Sequence, residues 1–309
     1  MKVRLLFFVV VISGLLSGVL WAEPAYRWLA GDTPRQPIET ASQRNIERAI
    51  PPPDGFERVP VPTDSFANWL RHLPLKPSGT PVLLYNGSKK ANQEAHHAVL
   101  DIDTGSRDLQ QCADAVIRLR AEYLYSTGDF GAIHFRFTSG DEAKFNQWAD
   151  GYRPVVVGNW VRWIKRAPAD WSYASFRHYL DVVFSYAGTL SLSKELSPQK
   201  VDDISIGDVF IHRGSPGHAA IVVDLAVTKA GGKKVFLLAQ GYMPAQDIHI
   251  LRNPASTQLS PWYGADFGET LETPEWTFAK SELMQFPPTK EQAGDRHKRR
   301  GTESRMSKS

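Results

Sequence analysis

Apolar residues recur along this chain every three to four positions over several stretches of its earlier part and gather into short runs separated by turns later on. Phe66, Trp69, Leu70 and Leu73 predict a short helix, capped by Asp64 or Ser65 and stopped at Pro74. Leu109, Cys112, Ala113, Val116 and Leu119, continued by Tyr123, predict the longest helix, over 109–125. Phe176, Tyr179, Leu180, Val183 and Phe184 predict another over 172–187, ended by Gly188. Residues 141–148 read as a helix start, and 42–50 as a short helix halted by Pro51, Pro52 and Pro53. Strands are expected over 82–85, closed by Asn86-Gly87, over 98–102, and over 132–137 with His134 and Arg136 on one face. The later part reads as sheet: 209–211, 219–227, a turn at Gly231-Gly232, 235–239, 248–251 and 276–278. Helices first and hairpins after give an α+β fold, with helices packed on a mainly antiparallel sheet.

The 309 residues include 42% hydrophobic positions, nine Trp and fifteen Phe, which suffices for a substantial core. Met1-Lys2-Val3-Arg4, a short apolar run and small residues before Glu23 predict a secretory signal peptide over 1–22. A lead-in segment over 23–53, a single α+β domain over 54–286 and a disordered basic tail over 287–309 complete the expected organisation. No later stretch is long and apolar enough to span a membrane, so the expectation is an exported, periplasmic protein with no integral segment after cleavage. The net charge of +3 is uneven, because the tail holds seven Lys or Arg against three acids and the leader adds Lys2 and Arg4. The body between them is net acidic, which argues against nucleic acid as a partner. No P-loop or dinucleotide fingerprint is present, no cofactor is implied, and the histidines lack metal-ligand spacing.

Candidate chemistry centres on the stretch from Gly207 to Asp224, which reads as strand, turn and strand with His218 where the second strand begins. The only cysteine, Cys112, falls near the start of the longest predicted helix. A helix N-terminus and a nearby imidazole both favour thiolate, so Cys112 as nucleophile and His218 as general base form one reading. The other reading is a buried core thiol, since Cys112 lies in the apolar stripe and free cysteine is among the most buried residue types. The hairpin through Gly231 returns Gln240 near the level of His218, which makes it the candidate orienting group. Asp224 shares the histidine's face but lies about 20 Å along the strand. Gln110 or Gln111 could donate to an oxyanion, and Gln111, Tyr242, Gln246, Trp262 and Tyr263 are candidate substrate contacts. Arg136 with Arg118 or Arg120 and Glu122 is expected to form an ion-pair network.

Leu73-Pro74-Leu75-Lys76-Pro77, Leu84-Tyr85-Asn86-Gly87, Leu109-Gln110-Gln111-Cys112-Ala113-Asp114 and Arg118-Leu119-Arg120-Ala121-Glu122-Tyr123 together carry a resemblance. So do Tyr186-Ala187-Gly188-Thr189, Pro216-Gly217-His218-Ala219, 238–246 and Ser260-Pro261-Trp262-Tyr263. These stretches resemble an uncharacterised bacterial family, the domain of unknown function numbered 4846, over roughly 53–286. That resemblance implies no biochemistry. The order Cys, strand, His separately resembles papain-like amidases and peptidases of the bacterial cell wall. It implies a thiol hydrolase acting on an amide or peptide bond of peptidoglycan or another envelope component. The alternative is a non-catalytic envelope-binding or structural domain with a buried cysteine.

Overall fold

The computed structural model describes residues 37–38 and 43–287. The expected signal peptide, most of the lead-in and nearly all of the basic tail lie outside the described residues. Helix α1 (Ile46–Ala49) is followed by β1 (Phe56–Arg58), α2 (Phe66–Arg71), β2 (His96–Val99) and α3 (Cys112–Ser126). Next come β3 (His134–Arg136), β4 (Glu142–Lys144), α4 (Phe145–Ala149), β5 (Tyr152–Val157) and β6 (Trp160–Lys165). Then follow α5 (Tyr173–Tyr186), α6 (Thr189–Glu195), β7 (Ser197–Pro198), β8 (Val209–His212), β9 (His218–Thr228) and β10 (Lys234–Gln240). The chain closes with β11 (His249–Leu251), β12 (Tyr263–Gly264), β13 (Thr270–Glu272), β14 (Thr277–Ala279) and β15 (Leu283–Gln285).

The fold is α+β. One nine-stranded sheet runs β2-β11-β10-β9-β8-β15-β7, with β1 also on β9 and β12 also on β10, and its strand pairs are antiparallel. At its centre β9 is buried from His218 to Ala226, as a strand covered on both faces must be. Phe210, Val222, Phe236, Leu238 and Phe278 form the core on one side. Helix α3 lies against β9 and is buried at every position from Cys112 to Leu124, so it is a central helix rather than an amphipathic surface one.

Several expectations need correction. Helix α3 starts at Cys112, not Leu109: the Gln111 N–H is taken by the Asp114 carboxylate at 3.1 Å and by the Leu109 carbonyl, which turns the preceding residues away from helix. Residues 82–85 do not form a strand and make only single bridges, Leu83 to Lys89 and Leu84 to Gln246. Gly188 does not merely end α5; it opens α6, where its N–H bonds Ser191 Oγ at 3.0 Å. The short helix expected over 42–50 is present as α1, capped by Asn45, with Ile46 and Ile50 buried. The β5–β6 hairpin has no counterpart in the sequence reading. Arg136 stays out of the ion-pair network and donates to Gly140 O, while Arg118 is joined by Glu122, Asp103, Gln110 and Tyr173. Arg120 packs instead against the rings of Phe66, Tyr123 and Phe286.

Candidate active site

Cys112 is the first residue of α3, and its sulfur lies 4.0 Å from the carbonyl oxygen of Gly217. The backbone N–H of Ala219 also acts on the thiol, favouring its ionised form. The sulfur therefore sits against the chain on both sides of His218. Helix and sheet can meet this closely because of glycine. A Cβ at Gly241 would come within 2.8 Å of Gln111 O, and one at Gly217 within 2.2 Å of Thr189 Oγ1.

His218 and Gln240 stand at the ends of neighbouring antiparallel strands, and His218 Nε2 is 2.7 Å from Gln240 Oε1. The protonation pattern follows from the partners. His249 Nδ1 donates to Asp247 O at 2.9 Å, which leaves its Nε2 bare to face the Gln240 amide nitrogen at 3.4 Å. That same nitrogen donates to Glu275 Oε2 at 3.1 Å. With the amide nitrogen so engaged, Gln240 Oε1 must accept, and His218 must carry its proton on Nε2. Nδ1 is left as the basic nitrogen of His218. Glu275 is held in turn by Lys90, which also sits 5.2 Å over the Tyr242 ring. The His218 ring is enclosed by Tyr242, Trp276 and Phe278 at centroid distances of 4.9, 5.2 and 5.7 Å.

Burial governs the electrostatics. Desolvation lowers His218 to about 4 and His249 to about 3, so both rings are neutral at neutral pH. Desolvation, reinforced by the Asp114 carboxyl, raises the Cys112 thiol to about 11, and burial pushes Asp114 itself up to about 8. The resting pair is thiol and imidazole, not thiolate and imidazolium. Native Cys112 is accordingly expected to alkylate with iodoacetamide about 100-fold more slowly at pH 8 than an ordinary thiol. Asp114→Asn, which keeps an acceptor for the Gln111 N–H, should speed that reaction by roughly tenfold per unit of lowered thiol pKa. An alkylation rate unchanged in Asp114→Asn, measured from pH 7 to 10, would contradict this account.

The remaining candidates divide. Tyr242 is half-buried over His218, and Gln111 is half-buried at the helix start, donating to Asp108 Oδ1 at 3.1 Å. Gln110 is committed to Arg118 through its Oε1. Gln246 is 1% exposed beside Leu84. Trp262 and Tyr263 lie in the core and do not line a cleft at His218: Trp262 Nε1 donates to Pro51 O at 2.9 Å, and the Tyr263 hydroxyl donates to Arg252 O. Tyr263 pairs with Phe236, four residues along β10 from Gln240. Asp224 does not orient the histidine, since its carboxylate bridges Arg58 and Arg71, at 2.7 Å each. The sequence reading missed Glu275, Lys90 and Trp276, and it gave His249 no place beside His218. A separate cavity of about 470 Å³, lined by Arg120, His134, Arg136 and Glu195 among others, includes none of the residues around His218. Among the described residues no group of three or more His, Cys, Asp or Glu side chains is placed to hold a metal ion.

No curated protein and no solved structure matches the chain. A family model described as a domain of unknown function (4846) matches residues 46–285, most of the chain, and the protein belongs to that family.

Proposed function

We propose that this protein is an exported thiol hydrolase of papain-like arrangement that cleaves an amide or peptide bond of the cell envelope. The carrying observation is the meeting of a helix-opening cysteine with the backbone on both sides of a histidine whose Nε2 is bonded to Gln240. In this reading Cys112 Sγ attacks the amide carbonyl carbon and its proton passes to His218 Nδ1. Collapse breaks the C–N bond, and the amine leaves with that proton. Water then hydrolyses the thioester with the same ring as base, which restores the thiol. The N–H groups that open α3 stabilise the oxyanion. Because both partners rest neutral, proton transfer accompanies attack rather than preceding it. Tyr242, the half-buried ring over His218, has to swing aside to admit the substrate.

Gln240 and Glu275 act here as positioning residues. Glu275→Gln removes a charge-assisted hydrogen bond and allows the Gln240 amide to rotate. Turnover should fall on the order of 10- to 100-fold, with the ¹⁵N resonances of His218 shifting towards a mixture of tautomers. Lower turnover with an unaltered ring spectrum would remove this role.

A second reading has its own observation. Cys112 is 8% exposed and its thiol is raised to about 11, as a structural core cysteine would be. In that case the protein binds an envelope peptide without cleaving it. Hydrolysis of cell-wall fragments by the wild type, lost in a folded Cys112→Ser variant, distinguishes the two. Binding without turnover in both proteins favours the second.

A further inference from the structure

The β5–β6 hairpin is independent of the site around His218. Six residue pairs join its strands, from Tyr152 with Lys165 to Val157 with Trp160, across a turn at Gly158-Asn159 in which Gly158 has φ +58°. Opposed residues share a face, so Pro154 and Trp163 lie on one side and Val155, Val157, Trp160, Arg162 and Ile164 on the other. The first side is turned to the body, with Trp163 stacked on Phe137 at 6.4 Å and Pro154 buried. At the tip Trp160 is 84% exposed and Val157 directly opposite is 63% exposed. From Gly151 to Ala167 the chain holds Arg153, Arg162, Lys165 and Arg166 and no acid. Arg153 is turned back over Trp148 at 3.8 Å and Lys165 lies 6.0 Å over the Tyr152 ring on the body-facing side, whereas Arg162 and Arg166 are exposed and make no ion pair among the described residues. An apolar tip carrying tryptophan, with unpaired cations on its flanks, has the composition of a segment that enters a headgroup layer.

We propose that this hairpin is a peripheral docking element for an anionic phospholipid surface. Trp160 and Val157 enter the interface while Arg162 and Arg166 meet lipid phosphates. The apolar tip decides between anionic occupants, because a soluble polyanion would satisfy the cations and leave Val157 and Trp160 in water. The docked hairpin would hold the rest of the protein beside a bilayer.

The test is sedimentation of the full chain with vesicles of equal phosphatidylglycerol and phosphatidylcholine, compared with phosphatidylcholine alone. Binding is expected on the anionic vesicles only, weakening as salt rises. Trp160→Ala should reduce it at least roughly tenfold. Arg162→Gln and Arg166→Gln should each reduce it about fivefold. These positions are exposed, so unaltered thermal unfolding verifies that the variants fold. Absence of vesicle binding would overturn the proposal, and so would binding indifferent to Trp160→Ala. Cation-dependent binding to peptidoglycan fragments or heparin, with no vesicle binding, would assign the hairpin to a polyanionic polymer instead.

Discussion

Cys112→Ser is expected to abolish hydrolysis of cell-wall peptide fragments, by at least about 10³-fold in turnover, while leaving the fold intact. Serine is close in size and its hydroxyl can take the sulfur's place beside the Gly217 carbonyl, which lies 4.0 Å from the sulfur, so the packing loss is small. The chemical loss is large, because a hydroxyl is a far weaker acid than even the raised thiol, and a histidine lowered to about 4 is a poor base for it. The measurement is product release from defined amide substrates together with mass detection of a thioester adduct on the wild type. Equal activity in both proteins would sink the proposal. If neither turns substrate over and only the melting temperature changes, Cys112 is a core residue and the binding reading stands.

Asp224→Ala should have the largest effect on stability, about 3–5 kcal/mol. The carboxylate is fully buried in mid-β9 and joins Arg58, next to β9 on β1, to Arg71 at the end of α2; it also accepts from the Leu225 N–H at 2.9 Å. Removing it leaves two guanidinium groups, one of them buried, without their shared counter-charge. Urea unfolding of Asp224→Ala against wild type measures the loss. A change under about 1 kcal/mol would mean that Arg58 and Arg71 are carried by their backbone acceptors Ile50 O and Val59 O. The active-site variants should not share this loss, which separates the structural carboxylate of mid-β9 from the chemical groups around His218.

The sheet was legible because two continuous apolar runs joined by the Gly231-Gly232 turn fix the pairing of β9 with β10, and with it the approach of Gln240 to His218. The helix containing Cys112 was legible as an element but not in its start. Periodicity runs back through Leu109, whereas the boundary is set by Asp114 reaching back to the Gln111 N–H, a weak signal without Ser or Thr at the cap. Glu275 and Lys90 could not have been found by spacing, since they meet across 185 positions and come from segments with no periodic pattern of their own. Trp262 and Tyr263 misled for a related reason. Their loop-like flanks suggested an aromatic cleft, yet the backbone carbonyls of Pro51 and Arg252 accept their polar atoms in the interior. The β5–β6 hairpin went unread because apolar residues occupy both of its faces, so no clean alternation marks it.

If Cys112 is the proposed nucleophile, the glycines at 217 and 241 bear on when it can act. Their bare backbones let three distant pieces of chain touch, and the sulfur and its carbonyl neighbour alone are separated by 105 positions. No local segment can assemble thiol, imidazole and amide by itself, so a nascent or unfolded chain carries the groups without the arrangement. On the proposed reading, completion of the central sheet is the event that switches on the chemistry of Cys112, and a chain exported unfolded would travel inert.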